Sequence, residues 1–172
     1  MAELGDFHAN GVTFPDQSRA DIDKIVSRIP DAGTLHLAIL RQPYLDLIVD
    51  GTKTIESRFN TKRAAPFGRV AVGDLILLKG SGRPITNYFF ASAARSIDLA
   101  IEPIEEVRRL YGDGICAQNE EEFWQERAQS GYCTLVEVGE RGSIPDLHVV
   151  KKDQRGWVTF SRVEQSDAPT LF

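Results

Sequence analysis

A strand, a short helix and a second, charged strand follow one another between residues 34 and 59, and this succession restricts the chain to folds that mix sheet and helix closely. TLHLAIL alternates apolar with small or polar residues, the period of a buried strand. QPYLDLIVDG then changes period. Tyr44, Leu47 and Ile48 share one helical face, Pro43 suits the first turn, and Gly51 suits a C-terminal cap. TKTIESRF returns to alternation but carries charges where a purely structural strand would carry neutral polar residues.

The remaining segments extend the pattern. SRADIDKIVSRIP reads as a helix, with Ser18 and Asp21 resembling a capping box, Ile22, Ile25, Val26 and Ile29 on one face, and Pro30 as the stop. The first dozen residues show no periodicity, so residues 1–17 are expected to be an N-terminal arm and residues 18–172 a single domain. VAVGDLILLKG suggests two short strands hinged near Gly73 and Asp74, and a further strand is expected from Phe89 to Ile97. Residues 102–131 read as an acidic helical insert. Ile104, Val107 and Leu110 fall at helical spacing, and Asn119 is placed to cap a second helix that ends by Gly131. YCTLVEVGE, the segment around LHVV, and GWVTF read as later strands. Short strands with intervening helices predict an α+β fold, a small mixed β-barrel or curved sheet with helices packed around it.

Composition excludes several functions. At 172 residues the chain can bury a core without metals or disulfides. No apolar run approaches the roughly 18 residues needed to span a bilayer, so no membrane partner is expected. MAELGDFHANG has acids and no apolar core, which argues against a secretory leader. Cys116 and Cys133 have no C-x-x-C spacing, and a reduced cytoplasmic location fits them best. His8, His36 and His148 are scattered, so neither a metal site nor a cofactor is expected.

The formal net charge of −5 argues against a general nucleic-acid coat protein, but its distribution is uneven. Residues 51–83 hold Lys53, Arg58, Lys62, Arg63, Arg69, Lys79 and Arg83 against Glu56 and Asp74, a local +5 that leaves −10 for the rest. Such a segment can bind phosphate locally while the remainder repels indiscriminate contact; a solvated charged face would look the same. Within it, strand alternation puts Thr54, Glu56 and Arg58 on one face and Ile55, Ser57 and Phe59 on the other. Lys53 is out of phase and joins Glu56 and Arg58 only if the chain bends after Gly51. Arg58 offers a planar fork for phosphate or carboxylate. Glu56 between two cations would be a dependable acceptor but a poor base, and a desolvated Lys53 could stabilise an oxyanion. A simple Glu56–Arg58 ion pair with Lys53 in solvent satisfies the same spacing.

LAILRQPYLDLIVDGTKTIESRF followed by RVAVGDLILL resembles the ASCH domain family (activating-signal-cointegrator homology), a branch of the PUA-like superfamily. The family pattern G-x-K-x-x-E-x-R is met by Gly51, Lys53, Glu56 and Arg58, and the Val72–Asp74 turn also matches. The clear likeness covers about residues 35–80. The resemblance implies a small β-barrel with a cleft at the motif, and relatives that bind RNA or act on modified bases. A related group of bacterial amidohydrolases acting on acetylated cytidine carries a nucleophilic threonine where this chain has Glu56. Lys53 is kept but that nucleophile is not, which argues against the same mechanism.

The expectation is therefore a binder of single-stranded RNA or of a nucleotide or nucleoside. Arg58, Lys62, Arg63 and Arg83 would hold phosphates, and Tyr44 or Trp157 would stack on a base unless core packing claims them. Two alternatives use the same cleft: a metal-independent ribonuclease with Glu56 and Lys53 as catalytic groups, and a small hydrolase for a modified nucleoside.

Overall fold

The computed structural model describes residues 1–15 and 20–163. The chain opens with a 3-10 turn at Leu4–Asp6 and two short strands, β1 (Phe7–His8) and β2 (Val12–Thr13), before α1 (Ala20–Val26). The strand–helix–strand unit follows as β3 (Leu35–Leu40), α2 (Tyr44–Asp50) and β4 (Ile55–Asn60). Then come β5 (Leu75–Gly80), the long β6 (Ile85–Asp98), α3 (Ile104–Ile115) and α4 (Glu121–Glu126). The long β7 (Tyr132–Leu147), β8 (Val150–Lys151), β9 (Trp157–Thr159) and β10 (Ser161–Arg162) complete it.

Six strands form the main sheet in the order β4-β7-β6-β5-β3-β9. β3 and β5 run parallel because α2 and β4 lie between them in sequence; the other pairs are antiparallel. Register shifts along β6 and β7 insert extra residues and curl the sheet into a half-barrel. This is the α+β curved sheet with surrounding helices that the sequence predicts. Among the described residues no helix is long and apolar enough to cross a membrane.

Strand alternation divides the core. Leu35 and Leu37 pack with Leu75, Leu77 and Val158 under α1, whose Ile22 and Val26 are buried. Ala38 and Leu40 face the other way, with Ile76, Leu78, Phe89 and Trp157, beneath Leu45 and Ile48 of α2. β3 and β5 are thus covered on both faces, which is why they read as near-continuous apolar runs. A third cluster joins Val107 and Ile115 of α3 and Phe123 and Trp124 of α4 to Cys133 and Leu135 of β7. Each of the two α4 aromatics contributes about 2 kcal/mol of burial, enough to dock a six-residue helix with little intrinsic stability.

The structure departs from the sequence expectations at several points. The N-terminal segment is not a free arm: β1 pairs with β10, β2 with β8, and Leu4 and Phe7 enter the core. The Ser18–Asp21 capping box falls outside the described residues at Ser18. Residues 70–72 form no strand, because the Asp74 carboxylate accepts from the Ala71 N–H and folds that stretch into a turn at Gly73. β6 begins earlier than Phe89, and β7 runs well past YCTLVEVGE. In α3 the buried stripe passes through Val107 and Ile115 with Tyr111 partly covered, an i, i+4 row that leaves Leu110 half exposed. Glu120, not Asn119, precedes α4, since the Glu120 N–H bonds back to Ala117 and keeps Asn119 in the preceding turn.

Candidate functional site

Gly51 closes α2 in the left-handed conformation, φ 87°, which costs other residues about 1 kcal/mol or more. The chain turns sharply there, and the Lys53 N–H returns to the Leu47 carbonyl at 2.9 Å. This is the bend Lys53 needs. Its side chain runs inward, only 2% exposed, and its ammonium donates to the carbonyls of Ile55 at 2.7 Å and Ile115 at 2.8 Å. The Glu56 carboxylate lies 3.7 Å away, and the Tyr44 ring centroid 5.3 Å away. Burial lowers the Lys53 pKa from its usual value, and Glu56 opposes that shift.

Within β4, Glu56 and Arg58 share the inner face, while Ile55 and Phe59 pack toward α3 and α4. Arg58 Nε donates to Glu56 at 2.8 Å, Nη2 to the Ile39 carbonyl at 3.0 Å, and Nη1 to the Gly156 carbonyl at 3.1 Å. One guanidinium therefore ties the edge strand β4 to the β3–β9 side of the curl. Of its five N–H groups, three are used by these bonds among the described residues. Its carbon sits 5.3 Å from the Trp157 ring centroid. Trp157 in turn donates to His36 Nδ1 at 3.2 Å. Since indole N–H can only donate, Nδ1 accepts, and His36 Nε2 carries the hydrogen given to Asp74 at 2.8 Å. A polar line thus runs from Lys53 through Glu56, Arg58, Trp157 and His36 to Asp74.

Three grooves meet at Gly156. The first, of about 360 Å³, is lined by Arg41, Tyr44, Lys53, Glu56, Arg58 and Phe123, among others. A second, of about 540 Å³, shares Arg58 and adds Arg69, Arg155 and an edge of Trp157. The third, of about 500 Å³, holds Lys79, Arg83 and Lys151 and shares Ile39, Ser81 and Gln154 with the first. Cations recur along the path they make.

The structure thus brings Tyr44, Lys53, Glu56 and Arg58 into one groove and puts Arg83 in the neighbouring one. Lys62 and Arg63 stand outside all three. Arg63 lies over Phe67 and Tyr132 and 3.9 Å from Asp98, where β6 ends and β7 begins beside the end of β4. Trp157 is 4% exposed and packs in the core, so Tyr44 is the more accessible of the two proposed stacking residues. Sequence reasoning missed Arg41, Arg155 and Phe123. Arg41 follows β3 directly and was legible as a cation beside the motif. Phe123 arrives from the helical insert, where Arg127 covers its ring at 3.6 Å and donates to its carbonyl at 2.8 Å. Burial lowers the Arg127 pKa and raises that of Tyr44.

The ASCH domain model matches residues 39–151, so the chain belongs to the ASCH domain family. Its curled sheet is the PUA-like fold. A crystal structure of ASCH from Zymomonas mobilis superposes with a TM-score of 0.52 at 15% identity, covering 66% of this chain and 73% of that one. A single-site mutant of ZmASCH from the same organism superposes with a TM-score of 0.53 at 12% identity, covering 77% and 89%. These likenesses concern the fold. No curated protein matches the chain.

Proposed function

We propose that the groove at Lys53, Glu56 and Arg58 binds single-stranded RNA or a nucleotide. The observation that carries this reading is the state of Arg58. Three of its N–H groups fix its plane against Glu56, Ile39 and Gly156, and two are left over at a wall shared by two grooves. A guanidinium held rigid through all three nitrogens, with one N–H on each of Nη1 and Nη2 not used by these bonds, is suited to a phosphate oxygen, with little side-chain entropy left to lose. The half-buried Tyr44 supplies apolar ring surface beside it for a base, backed by Phe123.

The same geometry favours binding over cleavage. The Lys53 ammonium donates to two backbone carbonyls and faces the Glu56 carboxylate at 3.7 Å. Its charge is already opposed by Glu56, which leaves it less to offer a developing oxyanion. Glu56 is likewise engaged by Lys53 and Arg58. The ribonuclease and nucleoside-hydrolase alternatives would use these same two groups; one gel assay separates binding from RNA cleavage, and the absence of both would turn the test to a modified nucleoside. End-labelled single-stranded RNA is run with wild type and Lys53→Ala, with EDTA or with magnesium. Retardation without cleavage is the expected result. Cleavage that survives EDTA and vanishes in the variant would replace the binding reading with the nuclease one.

A further inference from the structure

Lys79 closes β5 as the single charged residue in a strand whose other side chains are apolar, and only 9% of the residue is exposed. Its ammonium donates to the Gly80 carbonyl at 3.2 Å and, among the described residues, has no carboxylate partner. Buried lysines without an acid are costly, because the charge is removed from water and nothing replaces the hydration. The nearest carboxylate in the groove does not help. Asp153 is already held by Lys151 at 2.9 Å and by Arg155 at 2.7 Å. Lys151 adds repulsion instead, and together with burial it lowers the Lys79 pKa.

The groove over Lys79 is open and of about 500 Å³. On its rim, the exposed Arg83 guanidinium makes no side-chain hydrogen bond among the described residues. Gly82, with φ 68°, turns the loop between them, and a Cβ there would meet nothing within 4 Å. Four cations, Lys79, Arg83, Lys151 and Arg155, therefore face one neutralised carboxylate. An arrangement that is unfavourable when empty becomes favourable once an anion enters.

We propose that this groove is a phosphate subsite, in which Lys79 and Arg83 take a backbone phosphate of the strand bound along the Lys53–Glu56–Arg58 groove. The proposal rests on the RNA-binding reading of that groove, with which it shares Ile39, Ser81, Gln154 and Gly156. A strand that crosses Gly156 meets Arg58 on one side and Lys79 on the other. The site would then select phosphorylated strands over free nucleosides.

Two probes test this: a short 3′-labelled oligouridylate followed by anisotropy, and inorganic pyrophosphate followed by titration calorimetry. Each is applied to wild type, Lys79→Met, Arg83→Ala and Arg58→Ala. Methionine keeps the buried stem and removes the charge, and thermal unfolding checks each variant. Lys79→Met and Arg83→Ala should each weaken RNA binding about tenfold at low salt and make the salt dependence shallower by about 0.7 in logarithmic slope. The pyrophosphate heat should be lost in Lys79→Met. Unchanged RNA affinity and slope in both variants, with Arg58→Ala still weakened, would overturn the subsite and leave the groove reading standing. Pyrophosphate binding that depends on Lys79, in a protein that ignores RNA, would uphold the subsite and overturn the groove reading. Should Lys79→Met fail to fold, Arg83→Ala decides alone, since that side chain is exposed and its loss cannot unfold the core.

Discussion

The ammonium of Lys53 donates to the carbonyl of Ile115 at 2.8 Å, joining the motif before β4 to the last turn of α3. A cation at the negative end of a helix is favourable in itself, and here it also fixes the helical insert against the groove. Lys53 is therefore structural as well as part of the site.

Lys53→Met should lower stability by about 3 kcal/mol, since it breaks a buried ion pair and leaves two carbonyls without their donor. The effect should depend on pH. Burial puts the folded Lys53 pKa below its usual 10.5, so between those two values the unfolded chain holds more protons than the folded one. The lysine's contribution to stability therefore rises with pH across that window. Urea unfolding at several alkaline pH values should show the wild type gaining on Lys53→Met as pH approaches 10.5. A gap that narrows instead would mean that Lys53 is not desolvated as described.

The buried Asp74 carboxylate accepts from the backbone N–H of the part-buried Thr34, from that of Ala71 at the surface, and from the buried His36. Asp74→Ala should destabilise by about 3 kcal/mol, because the buried His36 N–H and two backbone donors lose their acceptor. Asp74→Asn keeps one oxygen and should cost less. Denaturant midpoints measured side by side check the order, and equal losses would show that the oxygen retained in Asp74→Asn contributes nothing.

Cys133 is buried in the cluster beneath α3 and α4, and burial pushes its thiol pKa up to about 12. Cys116 is only partly buried. Iodoacetamide at mildly alkaline pH should alkylate Cys116 and spare Cys133 until denaturant is added, as read by peptide mass. Early labelling of Cys133 would show that the α3–α4 layer opens readily.

Much of this was legible in the sequence where the determinants are local. Gly51 announced the left-handed cap, and alternation put Glu56 and Arg58 together. Asp74 misled, because its side chain bonds to the Ala71 N–H and converts an apparent strand at 70–72 into a turn. Leu110 misled because helical spacing alone does not say which of two adjacent rows meets the sheet. The carbonyls that hold Lys53 and Arg58 come from Ile115, Ile39 and Gly156, distant in sequence and contributed by backbone rather than by side-chain identity. Residue types carry no trace of such partners. Arg63 shows the converse: it is close to the motif in sequence but lies against Tyr132 and Asp98 instead.

Under the proposed function Arg58 gives its two remaining N–H groups to a nucleic-acid phosphate. Anisotropy of a labelled single-stranded RNA should be compared for wild type, Arg58→Ala and Arg63→Ala across a range of salt. Arg58→Ala should lose about tenfold or more in affinity, as expected for a charge-assisted hydrogen bond, with a shallower salt dependence. Arg63→Ala, outside the grooves, should behave as wild type. Equal binding by wild type and a folded Arg58→Ala would contradict the account, and a loss confined to Arg63→Ala would move the interface out of the grooves to the Tyr132–Asp98 surface.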